Sequence, residues 1–172
     1  MTSRTRRGAR VATLLAVAAV PLLGACAAPA HVGVPVGSIK ALPANVLPAK
    51  VGPLDVQAED VHKDLTGDAA TYADGLSFYS LRAGGLVQAT MQVTHLSAKA
   101  ATGSEGFRST LAAQIVESAP LVARIGMREV YAGQGATRID VWFSGPYLVV
   151  LTIRPTYAFP RALVEAAVRV PL

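Results

Sequence analysis

Residues 147–154 read Tyr-Leu-Val-Val-Leu-Thr-Ile-Arg, so Tyr147, Val149, Leu151 and Ile153 alternate with Leu148, Val150, Thr152 and Arg154. The length and the branched side chains predict a β-strand. Both of its faces are apolar. A strand of this kind must be covered on both sides, so helices, with the N-terminal arm as a further candidate cover, are expected on opposite faces of one sheet.

Other segments supply the rest of that sheet. Residues 76–82 and 86–96 flank Ala83-Gly84-Gly85, whose glycines accept the positive backbone angles of a tight turn, and predict a hairpin. In its second strand Val87, Ala89, Met91 and Val93 alternate with Gln88, Thr90, Gln92 and Thr94, one face for the core and one for water. Residues 124–132, 137–143 and 147–154, separated by Gly133-Gln134-Gly135 and Ser144-Gly145-Pro146, predict a three-stranded meander. Within it Ile139, Val141 and Phe143 oppose Arg138, Asp140 and Trp142.

Three helices are expected. Leu54, Ala58, Val61 and Leu65 stand at helical spacing in residues 54–65. Thr102 and Glu105 have capping-box spacing before a helix to about residue 118, with Phe107, Leu111 and Ile115 as its buried stripe and Ala119-Pro120 as its end. Pro160 suits the first turn of a last helix that turns Leu163, Ala167 and Val170 toward the sheet and stops at Pro171. The fold class is therefore α+β: an antiparallel sheet, hairpin plus three-stranded meander, with helices packed on it.

The N-terminal region obeys different rules. Arg4, Arg6, Arg7 and Arg10 precede an apolar run from Val11 to Leu23, which ends in Leu23-Gly24-Ala25-Cys26, the site of the only cysteine. Basic head, apolar middle and small-residue exit describe an export signal. The run is shorter than the ~20 apolar residues of a spanning helix and contains Pro21. It resembles the signal of bacterial lipoproteins, with Leu23, Gly24 and Ala25 as the lipobox before the cut and Cys26 as the modified residue. The resemblance implies a diacylglyceryl group on Cys26 and a chain held at the extracytoplasmic face of the cell membrane. Richness in Ala, Val and Arg resembles the composition of actinobacterial proteins. Prolines at 29, 35, 43, 48 and 53 then predict a semi-rigid Pro/Ala/Val-rich tether. Its valines and leucines also allow an arm packed along the domain. The expected organisation is a signal peptide at 1–25, acylated cysteine and tether at 26–53, and one domain at 54–172.

Charge and chemistry narrow the function. Of 16 Lys and Arg residues, four lie in the signal, leaving 12 against 11 acidic side chains. A near-neutral chain has no footprint for nucleic acid. With Cys26 acylated no thiol remains for a disulfide, a nucleophile or a metal site. His31 falls in the tether. Asp60, His62 and Asp64 would share a face only on a strand, and Asp64, Asp68 and Asp74 do not fit a calcium loop, so no metal or cofactor is expected. Gly103-Ser104-Glu105-Gly106 lacks the glycine spacing of an esterase elbow, and His95 reads as a histidine at the core edge.

The order hairpin, helix, meander, terminal helix over about residues 71–172 is similar to the PsbP-like fold. Known members of that fold are mostly accessory or binding proteins rather than enzymes. The first expectation is thus a non-enzymatic accessory or protein-binding module of the cell envelope, with Trp142 either beneath a helix or outward as a partner contact. The second is a carrier of a small apolar or lipid ligand in a cavity lined by Met91, Phe107, Phe143 and Tyr147. A hydrolase assembled from scattered Ser, His and Asp residues is the third.

Overall fold

The computed structural model describes residues 41–43, 46–60, 72–102, 105–116, 121–133 and 135–172. These form one eight-stranded antiparallel sheet with the strand order β1-β2-β3-β4-β8-β7-β6-β5. The strands are β1 (Lys50–Val51), β2 (Leu54–Glu59), β3 (Ala73–Ala83), β4 (Leu86–Leu96), β5 (Leu121–Ile125), β6 (Arg128–Ala132), β7 (Arg138–Ser144) and β8 (Tyr147–Ile153). The described helices are α1 (Ala98–Ala101), α2 (Glu105–Ile115) and α3 (Pro160–Val168). After β4 the chain passes through the first two helices to the far edge. The meander then returns inward, and β8 closes the sheet against β4, from Ala89↔Ile153 to His95↔Tyr147.

The doubly apolar strand therefore lies at the centre, and each of its faces meets a separate core. Val149, Leu151 and Ile153 join Tyr79, Leu81, Met91, Val93, Val130 and Trp142 beneath Leu163, Val164, Ala167 and Val168 of α3. On the opposite face Leu148, Val141, Phe143 and Tyr131 pack with Ala100 of α1 and with Ala112 and Val116 at the end of α2. Alternation within β7 divides the work: Val141 and Phe143 serve one core and Trp142 the other.

The hairpin forms as expected, with Gly84 and Gly85 at φ 55° and 82°, the two positive angles of the turn that matches strand twist. The last helix also forms, with Pro160 in its first turn and Leu163, Ala167 and Val170 buried. Three expectations are corrected. Residues 54–59 form a strand and not a helix, because Leu54, Val56 and Ala58 also alternate with Asp55, Gln57 and Glu59, and pairing with β3 selects that period; residues 61–65 lie outside the described residues. The single strand expected at 124–132 is two strands, since Gly126 at φ 62° reverses the chain and sets Arg124 opposite Glu129. The meander accordingly has four strands. Along α2 the deepest residues are Ala112 and Val116, with Phe107, Leu111 and Ile115 half-buried around them.

Residues 46–53, assigned to the tether by their prolines, belong to the fold. Leu47 and Val51 are buried in the α3-side core, β1 pairs with β2, and the Leu42 N–H donates to Ser77 Oγ at 2.9 Å. The packed-arm alternative therefore holds for this stretch, and β2 gains a partner on its outer side.

Two polar features sit within the α3-side core. Asp140 is fully buried, and Arg138 donates to both of its carboxylate oxygens at 2.7 and 3.0 Å. The Asp140 hydrogen bonds, together with its charge, raise the Arg138 pKa above its usual value despite the opposing effect of burial. The Tyr79 hydroxyl and the Trp142 Nε1–H are buried without a hydrogen-bond partner among the described residues.

Candidate functional site

The β5–β6 hairpin and α2 enclose a groove at the far edge of the sheet. Gly126 makes the reversal that lifts Met127, fully exposed, to the hairpin tip. Alternation along β6 sends Glu129 and Tyr131 to the α2 side and Val130 to the other. Across from them α2 contributes Arg108, whose guanidinium carbon stands 5.6 Å from the centre of the Phe143 ring, within cation–π range. Its Nη2 also donates to the Ala101 carbonyl at 3.3 Å. The groove these residues line, with Arg124, Gly126, Met127 and Arg128, has a volume of about 710 Å³.

Its electrostatics are unequal. Arg124 donates through Nε and Nη2 to Glu129 Oε1 at 3.1 and 2.6 Å, and the Tyr131 hydroxyl donates to Glu129 Oε2 at 3.0 Å. The Arg124 bond, then the Tyr131 bond, hold the Glu129 carboxyl below the usual carboxylate range. That carboxylate neutralises one arginine of three. Arg128, on the Val130 face of β6, donates through Nη1 to the Val168 and Val170 carbonyls, which ties β6 to the C-terminal end of α3 and sets its charge against the negative end of that helix. Arg108 bonds a carbonyl and faces a ring, and meets no carboxylate among the described residues. The groove thus sets this cation beside an aromatic floor of Tyr131 and Phe143. It is built to take an anionic group attached to a flat or apolar one.

A second groove of about 320 Å³ lies on the other face of the same edge, lined by Val122, Ala123, Arg124, Ile125, Val130, Arg138, Arg161, Val164 and Glu165. Its ionic groups are paired: Arg138 with Asp140 at 2.7 Å and Arg161 with Glu165 at 3.3 Å. What remains of its lining is mainly aliphatic.

The residues singled out in the sequence scatter across the molecule. Trp142 has no exposed surface and lies in the α3-side core, so it is not a partner contact. Met91 is in that same core, whereas Phe107 and Phe143 lie on the opposite face and Tyr147 is half-buried near a strand end, its ring 5.1 Å from His95. The four do not line one cavity, because the sheet itself separates Met91 from the phenylalanines. Of the set only Phe143 borders a groove. His95 stands 3.7 Å from Asp74 and borders neither groove. Leu23, Gly24, Ala25, Cys26, His31, His62 and Asp64 lie outside the described residues. Among the described residues no three His, Cys, Asp or Glu side chains are grouped to hold a metal ion, and no helix is long and apolar enough to cross a membrane.

Sequence reasoning missed Arg108, Arg124 and Arg128, although a signal for them exists. Six of the 11 acidic residues fall in positions 55–74, so from residue 75 onward nine basic side chains face five acidic ones. The near-neutral total conceals a basic C-terminal part. No family model, no curated protein and no solved structure matches this chain.

Proposed function

We propose that this chain is a lipid-anchored binding module of the extracytoplasmic membrane face, which holds an anionic group of its partner in the groove between α2 and the β5–β6 hairpin. The observation that carries the binding part is Arg108, which meets no carboxylate among the described residues, beside the Tyr131 and Phe143 rings. Such a cation outside a salt bridge binds carboxylate or phosphate through short, charge-assisted bonds. The anchor rests on Leu23-Gly24-Ala25-Cys26 after a basic head and apolar run. An accessory, non-enzymatic role accords with the resemblance to the PsbP-like fold that the sequence suggests over about residues 71–172. An apolar or lipid carrier is the weaker reading, since its four lining residues are divided between two packed cores.

Each part has its own test. Intact mass of the chain from the membrane fraction of a producing bacterium should show a lipid-sized addition on a chain beginning at Cys26, lost in Cys26→Ser. An unmodified chain, or one that keeps residues 1–25, overturns the anchor. For the groove, amide NMR titrations with inorganic phosphate and with glutarate should give saturable shifts at residues 124–131 and around Arg108, weakened in Arg108→Ala. Absence of any saturable shift with either anion overturns the binding reading.

A further inference from the structure

Resting on that binding reading, we infer that the partner is an extended peptide segment that adds to the sheet as a ninth strand along β5, with acidic and apolar side chains in alternation. The edge itself is the first ground. β5 ends the sheet, its outer side is paired with no described strand, and Leu121 and Val122 leave 46% and 49% of their surfaces exposed. An unpaired edge offers main-chain donors and acceptors to an incoming strand.

The second ground is that the two grooves flank this one edge on opposite faces, and Arg124 borders both. Successive side chains of a strand point to opposite faces. A segment paired with β5 would therefore place one side chain toward the α2-side groove and the next toward the α3-side groove. The chemistry of the two differs in a way that selects such a segment. The α2-side groove has Arg108, which meets no carboxylate among the described residues, and takes a carboxylate. The α3-side groove, with its arginines already paired and Val122, Ala123, Ile125, Val130 and Val164 in its wall, takes an aliphatic side chain.

Charge decides against a second copy of this chain as the occupant. Pairing two β5 edges would bring together two arginine-lined grooves whose lining acids, Glu129 and Glu165, are already bonded to Arg124 and Arg161, and like charges at an interface cost affinity. The irregularity between Leu121 and Ala123 in the pairing with β6 limits the regular part of the edge to residues 123–125. Pairing is accordingly short, and the side chains in the grooves must supply much of the affinity.

The test uses the folded chain and three short synthetic peptides: one alternating glutamate with valine, one of the same composition with the glutamates in a block, and the alternating one with every second backbone amide N-methylated. N-methylation removes strand hydrogen bonds and keeps every charge. The alternating peptide should bind most tightly, slow hydrogen exchange across residues 121–125, and lose about tenfold or more in affinity with Arg108→Ala, the loss of one charge-assisted bond. The N-methylated and blocked peptides should bind at least about tenfold more weakly. Equal binding of all three overturns strand addition while leaving an anion-binding groove. If no peptide binds but phosphate or glutarate does, the partner is a small anion and the inference is again wrong. If neither peptides nor anions bind, the binding reading itself falls. A concentration-dependent dimer with the β5 amides protected would show the second copy as occupant and also overturn it.

Discussion

The pair Arg138 and Asp140 gives the sharpest energetic prediction. Asp140 has no exposed surface, and Arg138 donates to both of its carboxylate oxygens, at 2.7 and 3.0 Å. Replacing Arg138 by Met keeps most of the side-chain volume and strands the buried carboxylate on the Trp142 face of β7, opposite Leu151 of the α3-side core. Removing one member of a buried pair costs about 3–5 kcal/mol, because the remaining charge is desolvated without compensation. Here the Arg138 side chain keeps 39% of its surface, so water screens part of its charge and can approach the site it vacates. The lower end, about 3 kcal/mol, is expected. At a urea slope of about 1.5–2 kcal/mol/M the unfolding midpoint should fall by about 1.5–2 M at unchanged slope. The double variant Arg138→Met with Asp140→Leu should regain most of the loss, since a well-packed apolar pair replaces a buried ion pair at little cost. A loss under about 1 kcal/mol for the single variant, the range of solvated pairs, would refute the argument.

Tyr79 tests the opposite case, a polar group that contributes nothing by its hydroxyl. With no hydrogen-bond partner for that hydroxyl among the described residues, Tyr79→Phe should leave stability unchanged or raise it by about 1 kcal/mol in urea unfolding. Burial raises the Tyr79 pKa, while Ser77, already accepting from Leu42 N–H, pulls the other way without closing a standard bond, and Tyr147 adds to the rise. A raised phenol pKa leaves stability intact below the unfolded value of about 10 and removes it as pH rises through the folded value. The Phe variant should lose less stability than the native chain in that alkaline window; equal loss would show that Tyr79 is not responsible. Glu129 runs the other way: its depressed pKa supplies stability above the ordinary 4.5 that disappears as pH falls through the folded value. Carboxyl-carbon NMR should place its midpoint below 4.5 in the native chain and closer to 4.5 in Arg124→Ala or in high salt; an unchanged midpoint in the variant would contradict the Arg124 bond as the main cause.

Much of the fold is legible because local chemistry and tertiary demand agree. Gly84-Gly85 can reverse a chain only one way between two alternating strands, and Pro160 starts a helix whose apolar stripe finds the sheet. The doubly apolar Tyr147–Ile153 announces its central position through composition alone. Illegible parts are those where two periods coexist in one segment. Leu54, Ala58, Val61 and Leu65 fit a helix while Leu54, Val56 and Ala58 fit a strand, and the exposed edge of β3, many residues away, decides between them. The single Gly126 is a weak punctuation mark beside a glycine pair, so a continuous strand is the natural reading of 124–132 until the Arg124 and Glu129 pairing is seen.

The grooves were hidden for a different reason. Arg108 reaches Phe143 across 35 positions of sequence, and Arg128 reaches the end of α3 across 40, so neither forms a local motif. The meander explains why they converge at an edge. Because the chain crosses to the far side of the sheet before turning inward, β5 and β6 are left where, among the described elements, α2 covers one face and α3 part of the other. Space under the helices narrows toward β4 and β8, which carry the aliphatic residues of both cores, and opens toward β5, whose neighbours are arginines too long and too charged to be packed away. The same topology that buries the most apolar strand therefore sets aside its opposite, a cationic and unpaired edge. A change that moved positive charge off this edge, such as Arg108→Glu, should leave the distant β4 and β8 core intact in hydrogen exchange while abolishing the response to phosphate and to the alternating peptide. Loss of core protection in that variant would mean that Arg108 serves the packing on Phe143 more than the groove.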